Sequence, residues 1–161
     1  MSDIPELLER FRRGPELLAL VLTGVFGEEE DFVSAPGKWS IRQIVAHVAD
    51  SETVMAHRFR QVIAEEDAIM VWFDQDAWAA KLDYARRKPK QSLETLRRTR
   101  AENFELLKGL PESAFERSGN HTRNGRMTLH DLLEHGARHT ESHARQIGEI
   151  REAYKTAKGK K

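Results

Sequence analysis

The sequence predicts an all-α protein, a four-helix bundle with short extra helices and a small β-hairpin ahead of the last helix. Three observations carry this. Apolar residues recur at three- and four-residue spacing through long stretches, the period of a helix face packed on a core. Helix-start signals stand directly before those stretches, most plainly Ser40 with Gln43 three residues on. Strand signals are scarce and gather around the Asn124-Gly125 turn. Long helices with modest connections pack as a bundle, and any site is then built from side chains on facing helices.

The elements follow in order. The first segment is interrupted at "RRGPELL", where Gly14 suits the end of one helix and Pro15 the first turn of the next. In the connector "GEEEDFVSAPGKW", Pro36 and Gly37 block a helix. Ser40 opens the second long helix, whose apolar face runs through Ile41, Ile44, Val45, Val48, Met55, Phe59, Val62 and Ile63. A third starts near Ser92, carries Leu93, Leu96, Phe104 and Leu107, and stops at Gly109 and Pro111. The hairpin is expected in "RSGNHTRNGRMT", and the last helix from Thr128, with Asp131 three residues on, to about Tyr154. Residues 1–154 are expected to form one domain, followed by a basic, disordered tail at 155–161.

Composition narrows the function classes. The 161 residues can bury roughly 70% of the surface of the unfolded chain. Lys plus Arg is 26 and Asp plus Glu is 26, a balance that argues against nucleic-acid or membrane-surface binding. With no cysteine, disulfides, thiolate metal sites and a cysteine nucleophile are excluded. No apolar run approaches the ~18 residues of a membrane span, and "MSDIPELLERFRR" lacks a signal-peptide core. A soluble cytoplasmic protein is the expectation.

The histidines stand out. "HGARHTESHARQ" places His135, His139 and His143 four residues apart. At ~100° per residue, His143 falls in the stripe of Leu129, Leu133, Gly136, Ile147 and Tyr154, and His139 near its edge; His135 is a flanking neighbour and His130 points away. His47 flanks the apolar face of the second helix, whereas His57 faces solvent. Three neutral imidazoles from two helices suit a metal ion and leave a coordination position open, as catalytic sites do. On spacing alone, rings bonded to backbone carbonyls fit equally well. "HTESH" is not the zincin motif, because Thr140 stands where the zincin glutamate would be and Glu141 faces away.

"GKWSIRQIVAHVADSE" resembles the segment around the first metal histidine of the DinB-like superfamily, and "TLHDLLEHGARHTESHARQI" resembles its last helix. "WFDQDAWAAKLDY" is similar to the stretch after the second helix in the YfiT-like branch, a group of metal-dependent hydrolases. The resemblance runs from about Gly37 to Ile150, with the motifs in the family's order. It implies metal ligands at His47, His139 and His143, the last preceding Gln146 by three residues as in the family. Arg145 departs from a glycine common there. It also implies an up-down-down-up bundle, often a homodimer, holding Zn²⁺, Ni²⁺ or a similar divalent ion. The family's activities are mixed, among them thiol S-transferases using bacillithiol or mycothiol.

Such an ion lowers the pKa of bound water from ~15.7 towards ~7, or holds a substrate thiol as thiolate. Without cysteine, the thiol would come from a co-substrate. The expected function is thus a metal-dependent thiol S-transferase or hydrolase acting on a small molecule. The competing readings are a non-catalytic metal- or ligand-binding stress-response protein and a plain helical dimer whose histidines only pack. Glu52, at the centre of an apolar face, either orients a ligand ring or pairs with an arginine or a backbone donor. Gln146 and His135 are further neighbours of the ligands. Trp72, Phe73, Asp74, Asp76 and Trp78 either wall a pocket or make core and dimer contacts. His121 is expected at the entrance of the site, and Trp39 as a core anchor at the helix start.

Overall fold

The structure, a computed structural model, describes residues 3–159. In chain order it contains α1 (Ile4–Val21), α2 (Glu28–Asp31), α3 (Ile41–Ala64), β1 (Ile69–Met70), α4 (Gln75–Lys81), a 3-10 turn (Tyr84–Arg86), α5 (Pro89–Lys108), a second 3-10 turn (Glu112–Glu116), β2 (Ser118–His121), β3 (Gly125–Thr128) and α6 (Leu129–Gly159). The four long helices α1, α3, α5 and α6 make the bundle.

Local chemistry sets the boundaries. Ser40 and Gln43 form the reciprocal cap of α3, with Ser40 N donating to Gln43 Oε1 at 2.9 Å and Gln43 N to Ser40 Oγ at 3.3 Å. Thr128 and Asp131 do the same for α6, at 2.8 and 3.0 Å. Helix α5 starts three residues before the expected Ser92, because Pro89 sits in its first turn, where no N–H is needed. Asp74 accepts from the backbone of Asp76 and Ala77, both at 3.0 Å, and so starts α4 within the aromatic connector.

Three expectations are corrected. Helix α1 is continuous across Gly14-Pro15. Proline at 15 leaves the Phe11 carbonyl without its helical donor, and the buried Arg100 supplies one, Nη1 to Phe11 O at 2.6 Å. Gly14 makes room for it, since a Cβ there would lie 2.7 Å from Arg100 Nη1. At the other end α6 passes Tyr154, so residues 155–159 of the expected tail are helical. A Lys155–Glu152 ion pair at 2.7 Å and Lys158 paired with Glu28 hold them there; residues 160–161 lie outside the described residues. The hairpin pairs His121 with Gly125, so three residues connect its strands, and Gly125 takes the left-handed conformation (φ +77°) that glycine tolerates. Strand β1 adds to β2 in parallel, giving the order β1-β2-β3.

Two apolar clusters fill the bundle. One joins Leu7, Phe11, Phe59, Leu107, Leu129 and Leu133; the other joins Leu18, Ile44, Val48, Leu96 and Ile147. These groupings fix the directions. Phe11 meets Gly136 and Arg151 meets the Val21 carbonyl, so α1 and α6 run parallel. Leu96 packs beside Val48, and Leu107 beside Phe59, so α3 and α5 are parallel too. The order is up-down-down-up.

Between the clusters lies a polar layer. Arg100 grips Glu52 with two hydrogen bonds, Nε to Oε1 at 2.9 Å and Nη2 to Oε2 at 2.7 Å, and donates to Thr140 Oγ1 at 2.9 Å. Asn103 Nδ2 donates to the same carboxylate at 3.0 Å. A buried ion pair survives only when its remaining lone pairs and protons are matched in this way. The histidines occupy the same level of the bundle.

Candidate metal centre

His47 projects from α3, and His139 and His143 from successive turns of α6. The His47 and His139 Nε2 atoms are 3.1 Å apart, and those of His139 and His143 3.2 Å. One ring nitrogen from each residue lies within 4.8 Å of the others. Two ligands on one tetrahedral ion with bonds of ~2.0–2.1 Å would stand ~3.3 Å apart. The spacing matches.

Proton accounting points the same way. His143 Nδ1 donates to Gln146 Oε1 at 2.8 Å, so its Nε2 presents a lone pair to the cluster. Each nitrogen carries at most one proton, and one proton makes a linear bond across only one of the two close contacts. The other would have no linear hydrogen bond across it. Protonating the rings is no remedy, because burial, with His143 nearby, depresses His47 to about 3, and burial also lowers His139 and His143. A single cation satisfies all three nitrogens. Ser51 Oγ lies 3.5 Å from His47 Nε2, and His47 Nδ1 is buried without a hydrogen-bond partner among the described residues.

A cavity of about 510 Å³ opens from the His47 and His139 side. His135 lines it, its ring stacked on His139 at 5.7 Å. Trp72, Phe73, Asp74 and Asp76 form part of its wall, so this stretch of the connector belongs to the cavity. Trp78 does not line it; that ring lies tilted against Phe73, with centroids 4.5 Å apart, and packs near Tyr84. His121 lies in β2, 5% exposed, on the cavity wall. Glu52 also lines the cavity, and its carboxylate hydrogen-bonds Arg100 and Asn103 rather than an imidazole. Trp39 covers His47, with the rings 4.9 Å apart, besides packing in the core. Glu141 faces outward to Arg10 at 2.8 Å, and His130 pairs with Asp3.

Sequence reasoning passed over Ser51, Arg58 and Arg123. Arg58 had a signal: eleven residues after His47 is close to three full turns, which puts a cation on the same face between Met55 and Phe59. Arg123, on a hairpin loop, had none; only the folded chain brings it over the Trp72 ring, at 4.9 Å.

Fold and site together define a class: an up-down-down-up helical bundle carrying three clustered imidazoles on its second and fourth long helices. The chain belongs to the DinB superfamily, whose sequence profile matches residues 10–147. A protein of Oceanobacillus iheyensis named "Putative metal-dependent hydrolase OB0413" is 27% identical over 147 residues, 91% of this chain and 84% of the relative. "Putative metal-dependent hydrolase YfiT" of Bacillus subtilis is 30% identical over 115 residues, 71% of this chain and 65% of that protein. The solved structure of YfiT, described as "a probable metal-dependent hydrolase with an unusual four-helix bundle topology", superposes with a TM-score of 0.87 at 25% identity, over 93% of this chain and 87% of that one.

Proposed function

We propose that this chain is a metal-dependent enzyme acting on a small molecule, with His47, His139 and His143 as the ligands of one divalent ion, zinc or nickel. The convergence of three Nε2 atoms at ligand spacing carries the reading. Three ligands leave room for a reactant, and a bound ion would lower the pKa of a nucleophile there. Water in that place gives hydrolysis, the reaction in the relatives' names. A thiol gives S-transfer, and in a chain without cysteine it would be a co-substrate such as bacillithiol or mycothiol. Gln146 holds the His143 proton away from the ligand face, His135 and Trp39 flank the ligand rings, and the aromatic connector forms part of the cavity wall. A homodimer in the cytoplasm completes the proposal.

The test starts with metal analysis of protein purified without a histidine tag. About one zinc or nickel ion per chain is expected, lost in His47→Ala and His139→Ala. The loaded protein is then assayed for hydrolysis of activated esters and amides, and for conjugation of a haloarene to bacillithiol or mycothiol. Turnover that survives His143→Ala unchanged would eliminate the metal-centred reading. Sedimentation velocity reads the oligomeric state.

A further inference from the structure

The far end of the cavity holds a charge with no ion-pair partner among the described residues. Arg58 is 8% exposed and lines the cavity, yet among the described residues its one acceptor is the Val71 carbonyl, 2.9 Å from Nη2. Its Nε is buried with no hydrogen-bond partner among the described residues. No ion pair to Arg58 occurs among the described residues, and burial alone depresses its pKa. Arg100, just as buried, shows what this fold provides when an arginine is structural: a two-pronged carboxylate, a carbonyl and a hydroxyl. A guanidinium left with unused donors in a low-dielectric cavity is costly unless a ligand supplies the acceptor.

A second donor faces the same space. His121 Nδ1 accepts from the backbone of Arg123 at 3.2 Å and Asn124 at 3.1 Å, so its proton is on Nε2. Arg123, over the Trp72 ring, adds a further cation on the cavity wall. Of the wall's two exposed carboxylates, Asp74 is engaged by the Asp76 and Ala77 backbone N–H groups at the start of α4, and Asp76 also borders the groove beside Trp39 and His143, at the imidazole end. The cavity is therefore basic at its hairpin end.

We propose that this end is an anion seat, in which Arg58 and the His121 Nε2–H hold the carboxylate or phosphate group of the substrate while its reacting end lies at the imidazole cluster. Guanidinium binds both oxyanions through paired donors. The eleven residues from His47 to Arg58 span ~16 Å of helix rise, shortened because the longer arginine side chain leans further back towards the N-terminus than the histidine. The seat thus calls for an elongated anionic substrate. Where the reacting end lies rests on the metal-dependent reading above; the seat itself does not.

The test uses metal-free protein titrated with glutarate and, separately, inorganic phosphate, followed by NMR at the Arg58 Nε–H and the His121 ring. Saturable shifts of both resonances are expected with at least one anion, and which anion saturates identifies the group. Binding should weaken at least fivefold in Arg58→Met and Arg58→Lys, the lysine variant keeping the charge but losing the forked donors. Circular dichroism checks that each is folded. No saturation with either anion, or a change under fivefold in a folded variant, overturns the seat. Metal retention measured on the same preparation separates the two readings. Anion saturation in a chain that never retains metal sinks the metal centre alone, and metal retention without saturation sinks the seat alone.

Discussion

Gln146 decides which nitrogen of His143 carries the proton, and so whether a lone pair faces the cluster. Gln146→Leu is expected to weaken divalent metal affinity about 10- to 100-fold with the fold intact, read by competition against a chromogenic chelator. The rings also set a pH dependence. Burial, reinforced by His143, holds His47 at about 3 in the folded chain, against an ordinary value of 6.5 once unfolded. Between those values the unfolded chain binds the proton and the folded chain does not. Stability is then complete above about pH 6.5 and declines as pH falls towards 3. At pH 5 His47 alone should remove about 2 kcal/mol from the metal-free protein. His135, His139 and His143, lowered in the same direction, steepen the loss. Urea unfolding in chelator at pH 7 and pH 5 checks it; unchanged midpoints would contradict the burial described. At this scale much of the site was legible. A four-residue repeat on an amphipathic helix places His139 and His143 without any tertiary knowledge. The pairing of Glu52 with Arg100, two residues 48 positions apart, needs the packing of α3 on α5, so the sequence left its partner open.

Among the elements, the polar layer where α1, α3, α5 and α6 meet is the most exacting junction. Arg100→Met would strand the Glu52 carboxylate and the Phe11 carbonyl that Pro15 leaves free, and should cost about 3–5 kcal/mol by urea unfolding. Adding Glu52→Met removes the stranded charge, so the double variant should be more stable than the single one. The same junction explains why the helix break expected at Gly14-Pro15 is absent. Proline does delete a backbone bond there, but a side chain 85 positions away replaces the missing donor, and glycine gives it space. Local rules located the caps at Ser40 and Thr128 because both halves of each cap lie within four residues. They did not reveal β1, two residues long and paired only through β2.

For the whole molecule, a ligand that binds only the folded state raises stability by mass action. Zinc or nickel at about 100 times its dissociation constant adds ~2.7 kcal/mol, which for this size raises Tm by ~5–10 °C. Scanning calorimetry of tag-free protein should show that rise, and His139→Ala should abolish it. The directions of the helices were not readable from periodicity, which is blind to up and down. They follow from residues 65–88, which lead from the end of α3 back to the start of α5 and leave the two helices parallel. This order of packing has a consequence for synthesis. Among the described elements α1 is made first, and its most extensive partner, α6, last. On the ribosome α1 therefore waits, the side that meets α6 uncovered, while more than a hundred further residues are translated. Two of the three imidazoles emerge only with α6, so a cation held by all three would be loaded only once α6 is made, in the same event that closes the fold.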